Sequence, residues 1–216
     1  DFDMNIESDY YVGSIRKWMG LPSGGFIASR KQFSKEPSQP DYNLLDKRLK
    51  ALKLKAQYID TGNQELKPHY LAVFRECEQI LDAHVVSIGI DSISQTLINS
   101  LNWDKLIRKR RLNYQVLFSE LGKLEFIHPV FNHLPVGSCP MFYTAYSTKR
   151  HEILEHLSKH GIYCPVHWPK PEEVVLAKYN NDVLQIYNSI FSIPCDQRYN
   201  VVDMKRIVRI LLDFGS

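Results

Sequence analysis

Apolar residues recur at helical spacing over most of this chain, and β-rich runs interrupt them in a few places. Residues 41–58 place Leu44, Leu45, Leu49, Leu52 and Leu54 among Lys47, Arg48, Lys50, Lys53 and Lys55, which predicts an amphipathic helix with a solvated cationic face. Residues 67–83 predict a second helix, with Leu71, Phe74, Cys77 and Leu81 on one side. A longer helical stretch covers 94–121. Ser92 is its expected cap, a break falls near Asn102, and Asp104 is the expected N-cap after the break. Residues 149–160 turn Ile153, Leu154 and Leu157 inward, and Gly161 closes that helix in the C′ position. A last helix opens at Asp203 and runs to about Phe214. Residues 10–14, 26–29, 141–146 and 189–194 read as strands by composition. The Pro/Ser/Gln-rich residues 34–41 form a loop, residues 60–63 a turn, and residues 85–91 a crossing segment.

This order gives the last portion a strand, helix, strand, strand, helix pattern. It predicts a small antiparallel sheet with helices on one face. The expected class is α/β with an α+β last part. The expected organisation is a first portion with helices over 1–91, linking helices over 92–122 and a small α/β domain over 123–216.

Composition changes this picture little. The chain has 216 residues, enough for a sizeable core, and a net charge of +3, too mild to argue for nucleic acid. The block Arg108 to Arg111 reads as a solvated helix face rather than a phosphate site. No apolar run approaches a membrane span and no signal peptide opens the chain, so a cytoplasmic protein with no membrane partner is expected. Cys77, Cys139, Cys164 and Cys195 are too far apart for a C-x-x-C site and are expected to be free thiols.

The chemistry concentrates near the start. Ser14-Ile15-Arg16-Lys17-Trp18 follows one short strand, and Leu21-Pro22-Ser23-Gly24-Gly25 precedes the next. Pro fixes φ and Gly permits positive φ, so the unit is a strand, a lysine-bearing loop, a Gly-Gly turn and a strand. A lysine held beside a cation such as Arg16, with Trp18 and Met19 as apolar walls, suits Schiff-base chemistry with a carbonyl. The plainer reading is a surface hairpin with a solvated lysine.

These motifs resemble the cofactor-lysine segment of the DegT/DnrJ/StrS sugar aminotransferases, which are fold-type-I pyridoxal-phosphate (PLP) enzymes. The resemblance continues in order through most of the chain. Residues 103–114 resemble the helix joining the large and small domains. Ile162-Tyr163-Cys164-Pro165-Val166-His167-Trp168-Pro169 resembles a segment in which a short strand brings a His-aromatic-Pro turn toward the active site. The chain would be the C-terminal portion of such an enzyme: the end of the large-domain sheet, a linker helix and a small α/β domain. By this resemblance Lys17 is the Schiff-base lysine, Ser14 contacts the cofactor phosphate and PLP is the cofactor. The substrates would be a keto sugar, usually nucleotide-linked, and an amino donor, and the assembly a homodimer. The resemblance also implies that about half of the subunit, with the ring-stacking aromatic and the pyridine-nitrogen aspartate, lies upstream. Two departures stand out. The family often has Ser-Phe-x-x-x-Lys where this chain has the compact Ser-x-x-Lys. Residues 87–95 lack the Asn and Arg with which many members build a cross-subunit phosphate contact. A non-catalytic fragment or degenerate scaffold without its own cofactor site is the rival reading.

His167 is held between Pro165 and Pro169 and suits either substrate positioning or a structural hydrogen bond. His156 and His160 have an i, i+4 spacing that can hold a metal, but there is no H-E-x-x-H, and no metal site is expected. Cys164 lies three residues before His167 without a third group to orient the pair, so a buried thiol is expected there.

Overall fold

A computed structural model of the chain describes residues 8–83, 88–167 and 181–215. The chain divides into two compact units, one ending at Leu101 and the other beginning at Asn102. The helices expected over 92–122 are therefore divided between them.

In the first unit, β1 (Tyr11–Gly13) pairs antiparallel with β2 (Phe26–Ala28), with Val12 opposite Ile27. A helical hairpin follows, made of α1 (Tyr42–Thr61) and α2 (Leu66–Ala83). Asp41 caps α1 by accepting the Leu44 N–H at 3.0 Å. Gly62 ends it at φ 68°, a left-handed conformation that favours glycine. The buried stripe of α1 is Leu44, Arg48 and Ala51, so Arg48 leaves the solvated face expected for it. It does so because the Glu78 carboxylate on α2 meets its guanidinium. The neighbouring Lys47 bonds Glu76 at 2.6 Å. On α2 the buried residues are Tyr70 and Cys77, while Leu71 is exposed. The face is rotated from the expected one because Tyr70 packs on Tyr58 across the hairpin, ring centroids 5.6 Å apart. A short parallel bridge joins Ser38 to Ile88, and α3 (Ser92–Ser100) closes the unit. Asp91 caps α3 in place of Ser92, because its carboxylate reaches the Ser94 N–H at 2.8 Å.

The second unit contains α4 (Trp103–Leu121), β3 (His128–Pro129), β4 (Phe142–Tyr146), α5 (Arg150–Lys159), α6 (Asn181–Ser189), β5 (Ile190–Pro194) and α7 (Val201–Gly215). The sheet is antiparallel throughout in the order β3-β4-β5. Tyr143, Ala145, Phe191 and Ile193 form one face and pack with Leu117 and Leu121 of α4, Ile153 and Leu157 of α5, and Met204 and Leu211 of α7. That alternation in β4 is the period of a strand with one face in the core. Strand β3 and helix α6 were not foreseen, and residues 162–167 form no strand. Their observed tie to β5 is the Ser192 N–H donating to the Pro165 carbonyl at 3.2 Å. Residues 85–87 of the expected crossing, and Trp168 and Pro169, lie outside the described residues.

Helix caps also differ from expectation. Asn102, not Asp104, caps α4 by accepting the Lys105 N–H at 2.9 Å. Asn200, not Asp203, opens α7. Its side-chain oxygen accepts the Val202 N–H at 2.7 Å while Asp203 accepts the Asn200 N–H at 2.8 Å, a reciprocal cap. The Arg108 to Arg111 block is only partly a solvated face. Arg110 is buried and donates to Gln197 at 2.7 Å, and Arg111 donates to the Pro135 and Ser138 carbonyls. One turn on, the buried Asn113 amide lies within 3.2 Å of the carbonyls of Cys195, Asp196 and Tyr199. Arg110 and Asn113 tie α4 to the loop after β5, and Arg111 ties it to the loop between β3 and β4, so the basic run serves the fold. Among the described residues, no helix is long and apolar enough to cross a membrane.

Candidate functional site

The lysine loop is built by local geometry and fastened by one carboxylate. The Ile15 N–H donates to the Gly24 carbonyl at 3.2 Å, which closes the loop between β1 and β2. Within it Ile15–Lys17 forms a single 3-10 turn, with Lys17 N–H to Ser14 O at 3.2 Å and Trp18 N–H to Ile15 O at 2.8 Å. Gly24 has φ 125°, a conformation that side chains other than glycine's rarely adopt. Leu21 and Pro22 are buried beneath the loop. Ser23 then donates from its hydroxyl to Asp91, and its N–H donates to Ser94 Oγ at 3.2 Å. The Ser94 hydroxyl also donates to Asp91, at 2.6 Å. Burial alone would raise the pKa of Asp91. The hydrogen bonds from Ser23 and Ser94 and from the backbone outweigh it and hold the carboxyl below its ordinary value. The N-terminus of α3 is therefore pinned to the Gly-Gly turn. The Asp91-x-x-Ser94 spacing was the available sequence signal for this anchor, but the partner Ser23 lies 68 residues away in sequence.

A cleft of about 930 Å³ opens beside the loop, within the first unit. Gly13, Ser14, Arg16 and Gly24 line it from the loop, Arg48 from α1, and Ile88 to Ile90 from the segment before α3. Ser14 makes no side-chain cap bond, and its hydroxyl has no hydrogen-bond partner among the described residues. Arg16 faces Glu78, 3.8 Å away, and shares that carboxylate with Arg48. Burial first, and the Arg48 charge second, lower the pKa of Arg16 below the ordinary guanidinium value. Lys17 is exposed and is not among the residues lining this cleft. Its amine has no hydrogen bond or ion pair among the described residues. Lys31, the next lysine along the chain, is bonded to Asp9 at 2.6 Å.

The second unit has its own recess. The face of the sheet away from the core carries Phe142, Thr144 and Ser192. Thr144 and Ser192 lie opposite each other with hydroxyls 3.2 Å apart. His167 sets its ring edge-on to Phe142, centroids 4.5 Å apart. With Ile186 and Tyr187 of α6 these groups line a pocket of about 390 Å³. The arrangement offers one imidazole and two hydroxyls to a polar ligand. Cys164 is a poor nucleophile here, since burial pushes its thiol up to about 12. His156 and His160 spend ring nitrogens on the carbonyls of Ile210 and His156, at 3.1 and 2.9 Å. No group of ligating side chains able to hold a metal occurs among the described residues.

For a PLP group the chain offers two fitting elements: an accessible lysine amine, and a hydroxyl three residues earlier on a cleft whose ionisable lining residues, among those described, are Arg16 and Arg48. Ser14 faces that cleft, whereas Lys17 faces solvent.

No known protein-family profile matches the chain, and no curated protein does. Solved structures do. The sugar aminotransferase CalS13 from Micromonospora echinospora superposes with a TM-score of 0.57 at 16% identity, over 94% of this chain and 52% of that one. A DegT DnrJ EryC1 StrS aminotransferase from Brucella abortus gives 0.55 at 17% identity, over 96% and 51%. A candidate sugar aminotransferase from Streptococcus pneumoniae, in its PLP form, gives 0.54 at 14% identity, over 94% and 50%. The chain thus has the mixed helix-and-sheet fold of part of these enzymes and spans about half their length.

Proposed function

We propose that this chain is the C-terminal portion of a PLP-dependent aminotransferase acting on a keto sugar, with Lys17 as the lysine that binds the cofactor. The fold match to sugar aminotransferases over nearly the whole chain carries this reading. The position of an unengaged lysine on a turn between two paired strands supports it.

PLP, when bound, supplies an electron sink for carbanion chemistry. From this chain, Lys17 Nζ would hold the group covalently, and the freed amine would be the base and then the acid that moves the donor Cα proton. The Ser14 hydroxyl would donate to a phosphate oxygen. His167 positions the sugar by a hydrogen bond. The working assembly is a cytoplasmic homodimer, with the remaining parts of the site on other stretches of the protein.

The test is borohydride reduction of the protein mixed with PLP, followed by peptide mapping. A single adduct on Lys17, lost in Lys17→Ala, is the expected result. An adduct that persists in that variant moves the site to another lysine. The exposed position of Lys17 outside the cleft favours a second reading, a scaffold without a cofactor site of its own. Adducts scattered over surface lysines would establish it.

A further inference from the structure

The cleft beside the lysine loop has an unusual ionic balance. Among the described residues that line it, the ionisable side chains are Arg16 and Arg48, and both are cations. Arg48 is 5% exposed, so its charge is held out of bulk water. One carboxylate oxygen, Glu78 Oε1, serves both guanidiniums, and the Glu78 side chain is 58% exposed. The desolvated Arg48 and the 30%-exposed Arg16 share one solvated anion, which leaves a local positive surplus at the guanidinium end of the cleft, away from the Asp91 carboxylate that Ser23 and Ser94 engage. The guanidinium fork matches phosphate oxygens bidentately. The Ser14 hydroxyl adds a donor on the same wall. Beyond the guanidiniums the cleft is apolar, lined by Pro22, Ile27, Pro37, Leu44 and Ile90, and it is several times larger than a bare phosphate needs.

We infer that Arg16 and Arg48 form a binding subsite for an organic phosphate, with the phosphoryl group on the two guanidiniums and the body of the ligand along the apolar wall. The subsite stands on the cleft's own residues and does not depend on Lys17 or on the aminotransferase reading. Glu78 is its internal competitor: it holds the guanidiniums in place and yields part of their hydrogen-bonding capacity to an arriving phosphate. The phosphate can come from a substrate such as a nucleoside diphosphate or from PLP itself, since both present anionic phosphoryl oxygens.

Calorimetric titration of the protein with inorganic pyrophosphate, uridine diphosphate and PLP tests this, using the wild type, Arg16→Gln, Glu78→Gln and, as a distant control, Lys31→Gln. A charge-assisted hydrogen bond is worth enough that Arg16→Gln should weaken binding about tenfold or more. Glu78→Gln, which removes the competitor at an exposed position, should tighten it. Lys31→Gln should leave it unchanged. Loss of PLP affinity in Arg16→Gln names the cofactor as the source of the phosphate. Loss of uridine diphosphate affinity alone names the substrate. The subsite is refuted if no probe binds, if Arg16→Gln binds all three like the wild type, or if Glu78→Gln weakens binding. Binding of pyrophosphate or uridine diphosphate with no Lys17 adduct would keep the subsite and reject the aminotransferase reading.

Discussion

Asp91 shows how one buried carboxylate can organise a loop. It is almost wholly buried, yet hydrogen bonds from Ser23, Ser94 and the backbone favour its ionised form more than burial opposes it. The folded pKa is therefore depressed below the unfolded one, which is about 3.9. The stability it confers is complete above the unfolded pKa and is lost as pH falls through the folded value. Asp91→Asn should cost about 1–3 kcal/mol at pH 7, because it removes charge-assisted bonds and leaves donors unpaired. Urea unfolding at pH 7 and again below pH 4 checks this: the gap between variant and wild type should narrow in acid. Asn113 makes the opposite demand, for a donor. Its amide faces three carbonyls in a fully buried position. Asn113→Asp should lower the melting temperature more than Asn113→Ala, since a carboxylate there meets only acceptors. The motif around Lys17 could be read from sequence, and so could the capping potential of Asp91. The sharing of Glu78 by Arg16 and Arg48 could not, because it joins three residues from separate segments.

At the level of elements, caps decide boundaries more sharply than periodicity does. Helices α1 and α2 follow from leucine spacing and a Gly-containing turn, and they form near the expected ranges, with α1 running past 58 to Thr61 before Gly62 ends it. The break near Asn102 was legible too, but Asn102 itself caps the helix and not the expected Asp104. Asn102→Ala should cost about 1 kcal/mol by loss of the bond to the Lys105 N–H. Asp104→Ala should cost only about 0.3 kcal/mol, the worth of a first-turn charge on the helix dipole. Chemical denaturation of the two variants separates them. Helix α6 and strand β3 were missed for different reasons. The helix runs straight into β5 at Ile190, so its apolar residues merge with the strand signal, and β3 is only two residues long. The basic block of α4 was misjudged because composition does not show that Arg111 and Arg110 turn toward two loops, 24 and 87 residues further on.

For the molecule as a whole, the unequal cores of the two units matter most. The large apolar cluster is drawn entirely from residues 114–214, in the second unit. The first unit relies on a helical hairpin with few buried apolar residues, together with the Ser23-Asp91-Ser94 anchor. Residues 102–216 expressed alone should therefore melt cooperatively with native helix content. Residues 1–101 alone should show a broad, weak transition by circular dichroism. A sharp transition in the shorter piece would mean that its exposed β1–β2 ribbon contributes more stability than its burial suggests.

The sequence by itself determined the local structure: helix periodicity, the strand–turn–strand around Lys17, the likeness to sugar aminotransferases and the fold class it implied. These follow from residues close together in the chain, where spacing and turn chemistry carry the information. The tertiary structure alone decided which polar residues are buried and what they meet. It turned Arg48 inward against Glu78, set Ser14 and Arg16 on a cationic cleft while leaving Lys17 in solvent, and fastened the Gly-Gly turn to α3. Each of these outcomes depends on desolvation and on partners remote in sequence, and no one-dimensional pattern specifies them.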